Sequence, residues 1–257
     1  MTKLFIDAGH GGSDPGATAN GLKEKDLTLE IALKLRNILN NEYEGHSLML
    51  SRTTDQSVTL SSRTNMANNW GADYLVSIHI NAGGGTGFES YTYNGSYSGK
   101  AETNRLRGIV HNGIVAETEF RDRGKKEANF HMVRESAMPA VLTENGFIDN
   151  ASDAAALKSD AFLTKIARGH AEGLASALGL SRKDGGNDGE QGYVEILADS
   201  LWTYNTADWD DKAVIVNKDE VFTVIRDKFP VGGGHMYQIK SGFYITANPN
   251  YVRYYTK

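Results

Sequence analysis

Residues 73–81 read DYLVSIHIN, and the fold turns on this stretch. Tyr74–Ile80 is an apolar-rich run of strand length, far short of the about 20 residues that span a membrane. It closes on polar chemistry, with His79 and Asn81 at its end. Outward from it, strand and helix signals alternate. Upstream, Lys3–Asp7 is a short apolar run that ends in a Gly-rich turn. Asp26 is the expected cap of a helix through Leu27, Ile31, Leu35, Ile38 and Leu39, spaced mostly by three and four. Ser47–Ser51 reads as a second strand, and a helix capped by Thr59 or Ser61 runs to about Asn69. Downstream, Phe88–Tyr93 reads as a strand and Lys100–Glu119 as a long helix. Further strands are expected at Phe130–Arg134 and Ala140–Glu144, and a last helix within Asp160–Leu178, stopped by Gly179. Strands separated by helices predict an α/β domain, a layered, mostly parallel sheet flanked by helices.

The composition bounds what such a domain can do. The chain has 257 residues, a net charge of −5, 40% hydrophobic residues and 23% charged residues, as ordinary globular proteins do. At roughly 100–200 residues per domain, that length allows one large domain or two smaller ones. The mild acidity argues against nucleic acid as a partner, which usually demands a basic footprint. Cysteine is absent, which excludes disulfides, thiolate metal clusters and a cysteine nucleophile. A transition metal is then left to His, Asp and Glu. The only apolar stretch near the N-terminus is Leu4–Ile6, against the run of about 7–15 residues in a signal peptide. Synthesis in the cytoplasm without a signal peptide, and no membrane insertion, are therefore expected.

The composition changes at residues 181–192. SRKDGGNDGEQG has no aliphatic or aromatic residue and reads as a flexible linker. Beyond it lie 12 of the chain's 24 aromatic residues. Short β-type runs at Val194–Leu197, Ala213–Val216, Val221–Ile225, Met236–Ile239, Phe243–Thr246 and Tyr251–Tyr254 are separated by turn signals, and no helical pattern appears. The expected organisation is a first domain at 1–180, the linker, and a small all-β domain at 193–257, of the size of a recognition module.

In open α/β sheets, ligands gather beyond the carboxyl ends of the strands. Three strand ends carry candidates: His10 in DAGHGG, His79 in SIHIN, and Glu144 in TENGF. Glu24 precedes the first helix. His10, Glu24 and His79 make a two-histidine, one-carboxylate set, the pattern of catalytic zinc with a fourth position left for water. Glu144 is then the spare carboxylate that can accept a proton from that water. Of the other histidines, His46 and His235 are read as turn residues, His111 and His170 as surface or packing residues on helices, and His131 as a core residue.

The set FIDAGHGGSDPGA, LKEKD, SRTTD, YLVSIHINA and MPAVLTENGFIDN, in this order, resembles the zinc-dependent N-acetylmuramoyl-L-alanine amidases of the amidase-3 family. The resemblance covers residues 1–180. It implies one zinc ion per chain on His10, Glu24 and His79, with Glu144 as the catalytic glutamate. It also implies cleavage of bacterial peptidoglycan between N-acetylmuramic acid and the L-alanine of the stem peptide. Asn81 and Arg123 also match family segments and are candidate substrate-binding residues. The last domain, through DSLWTYNTADWDDK, VNKDEVFTVIRD and MYQIKSGFYITANPNYV, is similar to the SH3-like wall-binding domains of phage endolysins. That likeness implies binding to a cell-wall polymer and action on the wall after membrane permeabilisation. Between residues 192 and 257 stand 7 Lys and Arg against 8 Asp and Glu, so attraction to an anionic polymer is not the expected device. Two other readings of the chain remain, a zinc endopeptidase within the stem peptide and a non-catalytic wall-binding protein.

Overall fold

The computed structural model describes residues 1–183 and 192–257. The chain divides into two compact units, Met1–Lys183 and Asp184–Lys257. Of the expected linker, residues 184–191 lie outside the described residues. Ser181 and Arg182 are not linker but strand, paired with Glu44 and Tyr43.

In chain order the first unit runs β1 (Thr2–Ala8), β2 (Thr18–Ala19), β3 (Leu22–Lys23), α1 (Glu24–Glu42), β4 (Tyr43–Glu44), β5 (His46–Leu50), α2 (Leu60–Trp70), β6 (Tyr74–Asn81), β7 (Phe88–Tyr93), α3 (Lys100–Glu117), β8 (Asp122–Ala128), α4 (His131–Arg134), β9 (Ala140–Phe147), α5 (Ala151–Leu157), α6 (Asp160–Leu178) and β10 (Ser181–Arg182). Six strands form one sheet in the order β5-β1-β6-β9-β7-β8. The first four run parallel, while β7 is antiparallel to β9 and parallel to β8. The sheet is mixed because its far edge reverses.

Both faces are covered, which is why residues 74–80 carry apolar residues at successive positions rather than alternating ones. Leu4, Ile6, Val76, Ile78 and Val141 pack with residues of α1, α3 and α6. On the other face, Phe5, Leu75 and Leu142 cluster with Ala67 of α2 and with Met132 and Val133 of α4. Successive side chains of each strand thus enter opposite cores. Thr59 caps α2, accepting from the Ser62 N–H, and Gly179 closes α6 in the left-handed region.

Two expectations give way, and one helix goes unforeseen. Phe130–Arg134 is not a strand; His131–Arg134 is a single helical turn, and the strand is β8 before it. The DRGKKEA sequence of β8 has no apolar alternation because β8 is the sheet's edge, where charged residues guard unpaired backbone. Asp26 does not cap α1, which starts at Glu24 after Lys23 with no side-chain cap bond. The two-turn α5 has no long apolar period to announce it, although Asn150 caps it by accepting from the Ser152 and Asp153 N–H groups.

The second unit comprises β11 (Gly192–Ile196), β12 (Ser200–Tyr204), β13 (Lys212–Asn217), β14 (Val221–Val231), β15 (Gly234–Ile239), β16 (Tyr244–Thr246) and β17 (Val252–Thr256). They form an antiparallel sheet in the order β13-β12-β16-β15-β14-β11-β17. Its core holds Val194, Ile196, Val216, Val224, Tyr237, Ile239, Ile245 and Val252. Among the described residues, no helix of either unit is long and apolar enough to cross a membrane.

Helices α3 and α6 meet at glycine. A Cβ at Gly173 would stand 2.8 Å from the Cα and carbonyl oxygen of Val110. Alanine is the better helix former by about 1 kcal/mol, but overpacking against backbone costs about 1–3 kcal/mol. Gly173→Ala should therefore lower the urea midpoint of unfolding. A midpoint at or above that of the parent protein would contradict the tight crossing.

Candidate active site

The carboxyl end of the central strands collects the chemistry. His79 and Glu144 stand side by side in the parallel β6–β9 register, and Glu89 of β7 faces Glu144 from the other side. His10 lies in the turn just after β1, and Glu24 opens α1. One oxygen of Glu24, Oε1, lies 3.2 Å from His10 Nε2 and 3.0 Å from His79 Nδ1. The same oxygen accepts the Ile80 N–H, and Oε2 accepts the Ala17 N–H. Glycine makes room for this packing at two points. A Cβ at Gly9 would meet the His79 ring at 2.4 Å, and one at Gly16 would meet Glu24 Oε2 at 2.6 Å.

The turn that carries His10 is held by two arginines that the sequence does not single out. His10 has a left-handed backbone, with φ 59°, a conformation uncommon in non-glycine residues and worth a physical explanation. Arg63 of α2, almost fully buried, donates to the carbonyls of Ala8 and His10 and pairs with the buried Asp7 at 2.7 Å. Arg52, also buried, donates to the carbonyls of Ala8, Gly9 and Lys25. Burial pushes the Asp7 carboxyl up, but the Arg63 guanidinium and the Ser77 hydroxyl outweigh it and hold Asp7 below the usual carboxylate range. Asp7 ends an apolar strand, the same signal that singled out Glu144.

His10, Glu24 and His79 offer one ligand atom each, all within 4.8 Å of one another. The spacings of 3.0 and 3.2 Å to Glu24 are near the about 3.3 Å edge of a tetrahedron of zinc ligands at about 2.0–2.1 Å. His10 Nδ1 bonds Asp14 Oδ2 at 2.9 Å, the outer partner that orients a ligating imidazole. The donor set therefore fits zinc. Glu144 completes the group: its Oε2 is buried and has no hydrogen-bond partner among the described residues. Desolvation, with the Glu24 and Glu89 carboxylates acting against the pull of His79, pushes its carboxyl up to about 7.

The chain matches the Amidase_3 family, N-acetylmuramoyl-L-alanine amidase, over residues 4–176. It belongs to that family. It is 63% identical to the N-acetylmuramoyl-L-alanine amidase CwlM of Bacillus licheniformis, with 71% of each chain covered. It is 44% identical to the endolysin of Bacillus phage SPP1, with 98% of each covered. The catalytic domain of CwlV, an N-acetylmuramoyl-L-alanine amidase from Bacillus (Paenibacillus) polymyxa var. colistinus, superposes with a TM-score of 0.66 at 33% identity; the match covers 70% of this chain and 100% of that one. The enzyme is an N-acetylmuramoyl-L-alanine amidase, which sets aside the endopeptidase and the non-catalytic readings.

The remaining candidates of this amidase converge on a residue the sequence reading passed over. Glu89, 2% exposed, accepts from Asn81 Nδ2 at 3.1 Å, Arg123 Nε at 2.5 Å, Lys126 Nζ at 2.5 Å and the Tyr91 hydroxyl at 2.5 Å. Asn81 and Arg123 are thus brought together on Glu89, beside Glu144. A single glutamate on a half-apolar strand gives no sequence signal of such a hub. His111 and His170 are packing residues, both buried. His111 bridges Ser90 and Asp122 at 2.8 and 2.9 Å, but Ser90 is fully buried and offers no nucleophile to a substrate. His131 is half-buried, bonded to Thr64, and His46 starts β5.

Glu24 favours protons on its two histidines. The hydrogen bond to Glu24 raises His10 to about 9 against desolvation. In His79, burial lowers the pKa but the Glu24 bond and neighbouring carboxylates win and raise it. Burial pushes Glu24 itself up, yet the two imidazoles outweigh it and keep it far below the usual range. Metal ligation needs neutral imidazole. Protons would therefore compete with an ion at this site, and its affinity should fall as pH falls. Dialysis at pH 8 should leave about one zinc per chain and dialysis at pH 5 should strip it. Zinc content that is equal at both, measured by plasma mass spectrometry, would contradict the ligand assignment.

Proposed function

We propose that this amidase binds one zinc ion through His10, Glu24 and His79, and that Glu144 carries the proton of the reaction. The reading further places the enzyme as an endolysin, made in the host cytoplasm and acting on the wall after membrane permeabilisation. The substrate is bacterial peptidoglycan, cut between the lactyl group of N-acetylmuramic acid and L-alanine. The observation that carries the mechanism is the unpartnered Glu144 Oε2 beside the His10–Glu24–His79 cluster. When bound, zinc supplies a Lewis acid that polarises the scissile carbonyl and brings the pKa of water to about 7.

The side chains do the rest. Glu144 accepts the proton of the attacking water and delivers it to the departing alanine nitrogen. A carboxyl held near neutrality by desolvation suits both halves of that transfer. The backbone N–H groups and the buried arginines keep the ligand side chains still, so that the protein need not reorganise as charge develops. Asn81 and Arg123, joined through Glu89 next to Glu144, are read as the residues that contact the substrate. Glu144→Gln should keep the zinc and lose about 10²- to 10⁴-fold in lysis of purified walls. Normal lysis by that variant, or new amino termini other than L-alanine in the parent digest, would sink the mechanism.

The second unit is read as an SH3-like wall-binding domain, with residues 1–180 as the catalytic domain. Its antiparallel sheet, its exposed Trp202, Tyr251 and Tyr254 and the likeness to a phage endolysin across 98% of both chains support this. Binding raises the effective concentration of the catalytic unit at an insoluble substrate. Removing residues 193–257 should then reduce activity on intact walls by at least about tenfold while soluble muropeptides are cut as before. Equal loss on both would count against the tether.

A further inference from the structure

The second unit holds a cleft of about 630 Å³ among its lining side chains Trp209, Lys228, His235, Thr246, Asn248 and Tyr251. That volume lies in the range of small-ligand sites, about 300–1,000 Å³. Its indole is held by contacts within the unit itself. The Trp209 indole N–H donates to the Val231 carbonyl at 2.8 Å. Tyr204 meets the indole edge-on at 5.4 Å. The ring lies against the β14–β15 turn, where a Cβ at Gly234 would come within 3.0 Å of it. Tyr251, 47% exposed, also lines the cleft.

Two of the polar groups, Thr246 and Asn248, are held as well. The Asn248 N–H donates to Thr246 Oγ1 at 3.2 Å, and Asn248 Oδ1 accepts the Asn250 N–H at 3.0 Å. Among the described residues lining the cleft there is one lysine, one histidine and no carboxylate. A rigid indole and a tyrosine supply apolar faces for the C–H surface of a pyranose ring. Amide and hydroxyl groups suit its hydroxyls and N-acetyl groups. One cation gives little purchase to a polyanion, whose binding grows with the number of charges it meets.

We propose that this cleft is the wall-binding site of the second unit and that it takes the uncharged N-acetylhexosamine glycan strand, not the stem peptide or an anionic wall polymer. The proposal rests on the reading of this unit as the wall binder. The full chain carrying Glu144→Gln, which removes hydrolysis, is the protein to test on sedimented peptidoglycan sacculi. The soluble probe is the β-1,4-linked tetrasaccharide of N-acetylglucosamine. Trp209→Phe, Tyr251→Ala and Asn248→Ala are added singly, and circular dichroism checks each for folding; the last two lie on exposed residues and spare the core.

Retention on sacculi should fall about tenfold or more with Trp209→Phe or Tyr251→Ala, the usual weight of an aromatic anchor. It should be displaced by the tetrasaccharide, and should persist when salt rises from about 0.1 M to about 0.5 M. Displacement by a soluble L-Ala–D-Glu–L-Lys peptide alone, or loss of retention in salt, would overturn the glycan assignment. Retention unchanged by all three substitutions, yet abolished by removing residues 193–257, would overturn the cleft and leave the wall-binding reading standing. Retention unchanged by that removal would overturn the reading itself.

Discussion

The buried guanidinium groups of Arg52 and Arg63 constrain everything at the catalytic end of the first unit. Together they take the carbonyls of Ala8, Gly9 and His10, and Arg63 also holds the buried carboxylate of Asp7. A residue at φ 59° persists only where its surroundings over-determine it. Hydrogen bonds to charged groups are each worth about 1.5–3 kcal/mol, and removing one partner of a buried ion pair costs about 3–5 kcal/mol. The His10 turn is therefore held in place by these bonds from within the unit. Because Arg52 follows β5 and Arg63 sits on α2, the His10 turn is tied to elements that supply none of the three candidate ligands.

The same logic runs across the sheet. His79, Glu144 and Glu89 occupy opposed positions on three neighbouring strands, so the backbone register alone sets their spacing. Carboxylates crowded in this way must be sorted by their partners. Glu24 is held charged by two imidazoles. Glu89 is pushed up by burial, but Lys126, Tyr91 and Arg123 outweigh that and keep it below the usual range. Glu144 is left without a partner on Oε2 and is pushed towards neutrality. Environments that drive similar groups apart in this manner assign their acid and base roles.

Much of this was legible in the sequence, for identifiable reasons. The run at 74–80 announces a strand covered on both faces, and its position before His79 places a histidine at a ligand-binding edge. His10, Glu24 and His79 are recognisable as a set, and the structure brings all three within reach of one ion. Other features were hidden by physics that a single sequence does not display. β8 is charged because it is an edge strand, so no periodicity marks it. Arg63 interrupts the buried face of α2 as any solvated arginine might, and only the fold shows it turned inward. Glu89 gains its importance from cross-strand neighbours far away in the chain, Arg123 and Lys126. In the second unit, Trp209 is tied to Val231, 22 residues on, a relation no local pattern carries.

Catalysis at this site turns on whether His10, Glu24 and His79 hold the ion. A crystal of the zinc-loaded protein, measured on both sides of the zinc absorption edge, tests it most directly. The account predicts one anomalous peak for the first unit, within bonding distance of His10 Nε2, a Glu24 oxygen and a His79 ring nitrogen, with the Glu144 carboxylate beside it but not bound. A peak at any other cluster, or zinc held by Glu144 in place of Glu24, would contradict it.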